Sequence, residues 1–203
     1  MTLKGLLFLL LASIVSVAIH VAIAGELISE KELTEKLKLY ASISTLDVSF
    51  RQTKTLKDMN LQLKSEGRLQ LRRPDRVVWE ITQPSPVRVS LDHSQIEIQT
   101  GTGPDTQVQT IKTGEAPSEQ AAQSLTALIA WLSLDSHALA SQYLITSSGK
   151  QSFHFLPKDK KSSPFESLDM VLGADGQLRH LEIHELSGDS LAVEFGKPKL
   201  THR

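Results

Sequence analysis

The sequence contains no cysteine, and this absence excludes several kinds of chemistry at once. A chain without cysteine has no disulfide, no thiol nucleophile and no thiolate ligand for zinc. It also has no cysteine that could carry an acyl anchor. The chain is therefore not one of the proteins that are held at a membrane through a lipid-modified cysteine.

The sequence also has few aromatic residues and no surplus of positive charge. Only 5% of the residues are aromatic, and 22 basic side chains face 23 acidic ones, so that the net charge is −1. A nucleic-acid binder needs an excess of lysine and arginine to neutralise phosphates, and stacking platforms need tyrosine and tryptophan. We therefore expect no nucleic-acid partner. The length of 203 residues and the 40% hydrophobic content fit one ordinary domain.

Long apolar runs are absent except at the N-terminus. Lys4 is the only charged residue among residues 1–24, and an apolar stretch follows it. Ala22-Ile23-Ala24 places small residues where a signal peptidase cleaves. We predict that residues 1–24 are a signal peptide cleaved after Ala24, and that residues 25–203 form a single domain outside the cytoplasm.

The alternative is an uncleaved membrane anchor, because residues 6–24 are almost long enough to span a bilayer. His20 and the Ala-Ile-Ala site favour cleavage.

Two segments have helical periodicity. Ser29 is followed by Glu32, a pair that can cap a helix, and apolar residues then recur at helical spacing, which predicts an amphipathic helix over residues 29–42. The second helix follows Pro117, with a shorter helical piece near residues 135–141. Its apolar stripe consists of Leu125, Leu128, Ile129 and Leu132.

The rest of the chain alternates apolar and polar residues with period two, which is typical of half-buried antiparallel strands. Glycine and proline separate the runs, and Asp175-Gly176 and Ser187-Gly188-Asp189 predict hairpin turns. The pattern predicts a mainly β, α+β fold of about ten or eleven strands. The alternating apolar positions include Leu69 and Leu71, Val77, Trp79 and Ile81, Val89, Ile96 and Ile98, Phe153 and Phe155, Met170, and Val193 and Phe195.

A sheet of this length must curl, and its apolar face must be covered. Two arrangements satisfy this requirement. In one, side chains and helices fill the concave side completely, as in most small barrels, and periodicity alone favours this one. In the other, the concave side is an apolar trough beneath the helices, which would suit an acyl chain.

No pattern in the sequence predicts catalysis, a cofactor or a metal. His180 and His184 have the spacing of a helical metal site, but Leu181 and Ile183 alternate with them as in a strand. Strand geometry separates residues four apart by about 13 Å, too far for one ion. There is no Gly-x-Ser-x-Gly nucleophile motif and no phosphate-binding loop. We therefore expect a binding protein with no catalytic residues, while a hydrolase acting on a lipid conjugate stays as an alternative.

Arg73 is a charged residue that strand counting places on an apolar face. If the chain stays extended through Pro74, Arg73 lies on the same side as Val77 and Trp79. A buried cation needs partners, and free carbonyls at the end of a covering helix could provide them. Alternatively, the chain turns at Pro74 and leaves Arg73 in solvent.

Four stretches of the sequence resemble the LolA family of periplasmic lipoprotein carriers. In order, they are Phe50-Arg51-Gln52, residues 67–74 leading into Val78-Trp79-Glu80 and Gln83-Pro84, Leu156-Pro157-Lys158, and Asp175-Gly176-Gln177-Leu178. The resemblance extends over roughly residues 33–200. It implies an incomplete antiparallel β-barrel with lid helices, whose cavity carries the acyl chains of lipoproteins from the inner to the outer membrane.

The resemblance also implies partners and site residues. The donor would be an inner-membrane ABC transporter, the acceptor an outer-membrane receptor, and the carrier a monomer. Arg73 matches the arginine that holds the family's lid closed, and Leu125, Leu128, Ile129 and Leu132 would belong to the lid helix. The cavity would be lined by Leu69, Leu71, Val77, Trp79, Ile81, Val89, Phe153, Phe155 and Met170.

One segment departs from the family's pattern. Residues 91–110 lack the usual aspartate-glycine turn and the aromatics that follow it, and contain Asp92-His93-Ser94-Gln95, Ile96 and Ile98 instead. This is consistent with a divergent paralogue that carries another lipid or amphiphile. A lipid-binding or sensor module that does not transport its ligand is the other alternative.

Overall fold

A computed structural model describes residues 25–74, 76–92, 94–112, 131, 133–161, 163 and 165–202. Two α-helices lie in these ranges, α1 at Glu30–Ala41 and α2 at Ser136–Gln142. The strands are β1 Glu26–Leu27, β2 Ile43–Leu56, β3 Leu61–Arg72, β4 Arg76–Gln83, β5 Val87–Leu91, β6 Gln95–Thr100, β7 Gln107–Lys112, β8 Tyr143–Ser148, β9 Ser152–Pro157, β10 Phe165–Leu172, β11 Leu178–Glu185, β12 Ser190–Phe195 and β13 Lys199–His202.

All thirteen strands belong to one antiparallel sheet. Its order is β1-β8-β9-β10-β11-β12-β2-β3-β4-β5-β6-β7, and β13 pairs with the first part of β2 while β12 pairs with the remainder. Among the described residues no ladder joins β7 to β1, so the sheet is not closed. The predicted mainly β, incomplete barrel is confirmed, with thirteen strands in place of ten or eleven.

The register confirms the alternation that the sequence predicts. Leu69 lies opposite Trp79 and Leu71 lies opposite Val77, so these four side chains share one face, which we call the inner face. The other face, the outer face, carries charged side chains. Val78 is an exception, because it lies on the outer face and is only 3% exposed.

Helix α1 forms where the sequence predicts it, because its cap and its apolar stripe are both local features. The Ser29 hydroxyl accepts a hydrogen bond from the Glu32 backbone N–H, and the Glu32 carboxylate accepts one from the Ser29 N–H. The hydrogen bonds that the Glu32 carboxylate accepts from the Ser29 N–H and from the Ser29 hydroxyl hold the pKa of Glu32 below its ordinary value. Leu33, Leu37 and Tyr40 are buried beneath the helix.

Helix α2 is the predicted shorter helical piece, and the Asp135 carboxylate caps its N-terminus. It contacts α1, and the Thr34 and Ser136 hydroxyls lie 2.8 Å apart. The predicted signal peptide, residues 1–24, lies outside the described residues. So do Leu125, Leu128, Ile129 and Leu132 of the predicted lid helix. Of the helices in the described part of the chain, none has the length and apolar character to cross a membrane.

Candidate functional site

The inner face has two halves that differ in how completely they are covered. In the half built from β8 to β12, Phe153, Phe155 and Met170 are at most 2% exposed. Trp131 packs edge-on against Phe155, with ring centroids 4.3 Å apart, and the Lys36 ammonium of α1 lies over the Phe153 ring. This half is therefore a packed core beneath α1 and the residues that precede α2.

The half built from β3 to β6 is only partly covered. Leu69, Leu71 and Val77 are buried near the centre of the sheet, whereas Trp79, Ile81 and Val89 are half-buried. All six lie on the inner face, together with the other three predicted cavity residues. The structure thus places the nine predicted residues on one face but divides them between a packed half and a partly covered half.

Two further residues extend the partly covered half. Val87 lies opposite Ile81, and Ile98 lies opposite Val89; both are half-buried. Together with Trp79, Ile81 and Val89 they form what we call the apolar row. Val87 and Ile98 are not among the predicted cavity residues, although their alternation with polar neighbours is the signal that could place them there.

Phe50 comes from the first stretch of the family resemblance, Gly67 and Trp79 come from the second, and the three residues meet in the structure. The Phe50 and Trp79 rings stack with centroids 4.1 Å apart, and Gly67 lies beneath the Phe50 ring. A Cβ atom at Gly67 would lie 2.5 Å from the Phe50 Cζ and 2.1 Å from the Glu80 carbonyl oxygen. Glycine at position 67 is therefore what allows the aromatic pair to form.

Arg73 lies at the junction between the sheet and the helical residues. Strand β3 ends at Arg72, which lies opposite Arg76, so the assumption of an extended chain through Pro74 is wrong. The turn nevertheless leaves Arg73 half-buried. Its Nη2 donates a hydrogen bond to the Ser133 carbonyl oxygen at 2.9 Å, and its guanidinium lies 5.7 Å from the centroid of the Tyr40 ring.

The contact between Arg73 and Tyr40 is one between a cation and a neutral ring. Burial raises the pKa of Tyr40 to about 12, and the positive charge of Arg73 opposes this rise only in part. Tyr40 is therefore uncharged at physiological pH, and its ring face attracts the guanidinium. Arg73 thus connects the β3–β4 turn to α1 and to the segment that leads into α2.

His180 and His184 lie on strand β11, as predicted, and each contacts a carboxylate on the outer face. His180 Nδ1 lies 2.6 Å from Glu194 Oε1, and His184 Nε2 lies 3.2 Å from Asp169 Oδ2. In the ranges that the structure describes, no group of three or more His, Asp or Glu residues could hold a metal ion.

Comparison with known proteins gives one family match. The family model described as outer membrane lipoprotein carrier protein LolA matches residues 41–203. No curated protein sequence matches the chain.

Several solved structures are similar in fold. A LolA superfamily protein from Nitrosomonas europaea has 9% identity and a TM-score of 0.41, over 87% of this chain and 95% of that one. The lipoprotein LppX of Mycobacterium tuberculosis has 12% identity and a TM-score of 0.42, over 83% and 93%. MucB of Pseudomonas aeruginosa, in its complex with MucA, has 14% identity and a TM-score of 0.45, over 84% and 56%.

Proposed function

Because the chain belongs to the family of the outer membrane lipoprotein carrier protein LolA, we propose that it is a periplasmic carrier that binds the acyl chains of lipoproteins, or of a related lipid, on the inner face of its open sheet. The observation that carries the proposal is the apolar row, five apolar side chains on the inner face that are only half-buried.

The apolar row offers enough surface to hold an acyl chain without covalent chemistry. Burial of one methylene is worth about 0.8 kcal/mol, so a chain that buries several methylenes against the row gains several kcal/mol. An affinity of this order is reversible, as a carrier requires. We infer no catalytic step and no cofactor.

Arg73 is the residue that we propose as the latch of the lid. A hydrogen bond from a charged donor contributes about 1.5–3 kcal/mol net, which is large enough to favour one position of the Ser133 segment and small enough to break when cargo binds. Tyr40 supplies the second contact of the latch, and because that ring is neutral, the latch depends little on pH near neutrality.

The remaining parts of the proposal follow from family membership and from the N-terminal sequence. Residues 1–24 would be a signal peptide cleaved after Ala24, and residues 25–203 the mature carrier in the periplasm. An inner-membrane ABC transporter would load this monomer, and an outer-membrane receptor would accept the cargo. Leu125, Leu128, Ile129 and Leu132 would form the apolar side of the lid helix.

A second candidate cargo is a lipid or amphiphile other than a lipoprotein. The observation that favours it is the aliphatic character of β6, where Ile96 and Ile98 lie on the inner face at the place where the sequence departs from the family's aromatics. Aliphatic side chains give a smooth surface without the edge and face contacts that aromatic rings add.

Native mass spectrometry of the protein purified from its own periplasm tests the proposal. We expect a population whose added mass is a lipidated polypeptide, and a free lipid in its place would support the second cargo. If the protein carries no added mass, and also binds none after incubation with a synthetic diacylated lipopeptide, the proposed function is wrong.

A further inference from the structure

Half of the large apolar side chains that are exposed in the described part of the chain lie at one end of the sheet. They are Met59 in the turn between β2 and β3, Leu61 and Leu63 on β3, and Leu186 in the turn between β11 and β12, and they are between 41% and 68% exposed. We call these four side chains the apolar tip. Large apolar side chains that are exposed together mark a contact with another protein or with a membrane.

Two contacts hold the two turns of the apolar tip side by side. The Lys57 backbone N–H donates a hydrogen bond to Asp189 Oδ1 at 3.0 Å. The Lys54 ammonium, on the strand that leads into the first turn, forms ion pairs with Glu185 and Asp189 on either side of the second turn. Leu186 therefore lies at the same end of the molecule as the β2–β3 hairpin.

The β2–β3 hairpin projects beyond strand β4. The last pair that joins β3 to β4 is Glu66 with Gln83, so residues 61–65 extend past β4 by about 16 Å. Of the strands in the described ranges, only β2 pairs with this part of β3. The apolar tip is therefore a projection and not a recess, and it suits a partner that takes in side chains without a pocket of fixed shape.

The charges around the apolar tip are balanced. Three cations and three carboxylates lie in or beside the two turns, namely Lys54, Lys57 and Lys64, and Asp58, Glu185 and Asp189. These charges sum to zero, so the tip does not select a strongly acidic or a strongly basic partner. The contact that it offers is apolar.

We propose that the apolar tip inserts into the surface of a lipid bilayer. The boundary between headgroups and acyl chains accepts apolar side chains of any shape, and the strength of such binding scales with the apolar area that is buried. A folded protein would need a groove that is complementary to the projecting hairpin. The long stems of Lys57 and Lys64 allow their ammonium groups to stay at the level of the headgroups while the tip enters the membrane.

The apolar tip lies on the same face of the sheet as the apolar row. The β2–β3 register has no shift, so counting in steps of two from Leu69 places Leu63 and Leu61 on the inner face. Leu63 is about 13 Å along β3 from Gly67, which lies opposite Ile81 of the row. With the tip in a bilayer, an acyl chain would pass between the row and the membrane along this face. This role in transfer rests on the proposed function, whereas membrane binding needs no cargo.

Cosedimentation of the exported protein, purified without detergent, with vesicles of phosphatidylcholine tests the proposal. We expect the wild type to bind these uncharged vesicles equally at low and at moderate salt. Met59→Ser combined with Leu63→Ser should weaken binding by about tenfold or more, because two of the four apolar side chains no longer enter the bilayer. The matched control is Val108→Ser combined with Leu144→Ser, which removes two exposed apolar side chains elsewhere and should change binding less than twofold.

A fluorescent label measures insertion at the tip itself. The chain contains no cysteine, so Met59→Cys and Val108→Cys each provide a single site for a dye whose emission rises in an apolar environment. Both side chains are exposed, and we expect both variants to melt at the temperature of the wild type. Added vesicles should raise the emission of the label at position 59 and leave that at position 108 unchanged.

Absence of vesicle binding by the wild type would overturn the proposal, as would equal weakening in the tip and control variants. Binding only to vesicles that contain phosphatidylglycerol would show an electrostatic contact and would also overturn it. A dimer in analytical ultracentrifugation that the tip variant abolishes, without binding to vesicles, would assign the tip to a second copy of the chain instead.

Binding of a diacylated lipopeptide in solution, measured in parallel, separates this proposal from the proposed function. If the lipopeptide does not bind while tip-dependent vesicle binding persists, the proposed function is wrong and the membrane contact stands. If the lipopeptide binds but the tip variant binds vesicles like the wild type, only the membrane contact is wrong.

Discussion

The proposed site depends on two sets of contacts that single residues determine. One is the stacked pair of Phe50 and Trp79, which lies over Gly67, and the other is the hydrogen bond from Arg73 to Ser133. Both are short-range contacts between residues that are distant in sequence, since Arg73 reaches Ser133 and Phe50 reaches Trp79. Substitutions at these positions therefore have effects that differ in kind, on cargo binding for Arg73 and on stability for Gly67.

Replacement of Arg73 by leucine is expected to change cargo binding more than stability. The variant loses the hydrogen bond to Ser133, so cargo that displaces this segment no longer competes with the latch, and the affinity for a diacylated lipopeptide rises by up to about tenfold. Isothermal titration and the rate of cargo release measure this. Arg51→Leu, at an exposed arginine that pairs with Glu66, is the matched control. Unaltered affinity and release in Arg73→Leu would remove Arg73 from the mechanism.

A charged side chain in or next to the apolar row is expected to prevent the binding of lipid cargo. Val77→Glu is expected to impair loading, but Val77 is 3% exposed, so that variant also loses stability. Val89 is half-buried and provides the cleaner test: Val89→Glu should reduce lipopeptide binding by at least about tenfold while the protein stays folded. Val108→Glu, at a valine of β7 that is 56% exposed, serves as the control. Equal binding by both variants would contradict the assignment of the row.

Gly67→Ala is expected to destabilise the fold by about 1–3 kcal/mol, because the added methyl group collides with the Glu80 carbonyl oxygen and the Phe50 ring. Urea denaturation followed by tryptophan fluorescence measures the change in the free energy of unfolding. Ser65→Ala, two residues earlier in β3, should change it by less than about 0.5 kcal/mol. A Gly67→Ala variant as stable as the wild type would show that Phe50 and Trp79 do not require a glycine there.

At the scale of elements, sequence reasoning succeeded where the cause of a structure is local. The Ser29–Glu32 cap and the apolar stripe lie within one segment, so the bounds of α1 could be read directly. Strands β1 and β13 could not be predicted in this way. Strand β1 has two residues and pairs with β8, more than a hundred residues away, and β13 forms because it pairs with the first part of β2. The face of the sheet on which Arg73 lies also depends on the turn between β3 and β4, and counting alternate residues along a strand does not predict that turn.

The contact between α1 and α2 predicts a pH effect at one histidine. His137 Nδ1 lies 3.0 Å from Glu30 Oε1, and this carboxylate raises the pKa of His137 above its ordinary value of 6.5. A histidine whose pKa is raised in the folded state stabilises that state below its unfolded pKa, and this contribution is lost as the pH rises through the folded pKa.

We therefore expect NMR titration to show His137 protonating above pH 6.5, and the α1–α2 contact to weaken from that pH upwards. In Glu30→Gln the pKa of His137 should fall towards its ordinary value, with only the charge of Asp135 still raising it, whereas Glu35→Gln, elsewhere on α1, should leave it unchanged from the wild type. A midpoint for His137 that is the same in the wild type and in Glu30→Gln would rule out this ion pair.

For the whole molecule, periodicity alone left a filled core and an open trough as alternatives, and the sheet combines features of both. Its β8–β12 half is packed by Trp131, Phe155 and Met170, while its β3–β6 half keeps an apolar row that is only partly covered. The division could not be predicted from the sequence, because both halves have the same alternation. It depends on which half the helical residues contact, and that is a property of the assembled chain.

The proposed function depends above all on binding of acyl chains by the apolar row. Photo-crosslinking with a lipopeptide that carries a diazirine in its acyl chain, followed by mass spectrometry of the digested protein, tests it most directly. We predict crosslinks on β4, β5 and β6 at Trp79, Ile81, Val87, Val89 and Ile98, and loss of these crosslinks in the Val89→Glu variant. Crosslinks confined to the outer face, or an absence of crosslinks from the row at saturating lipopeptide, would show that the apolar row does not bind the acyl chain.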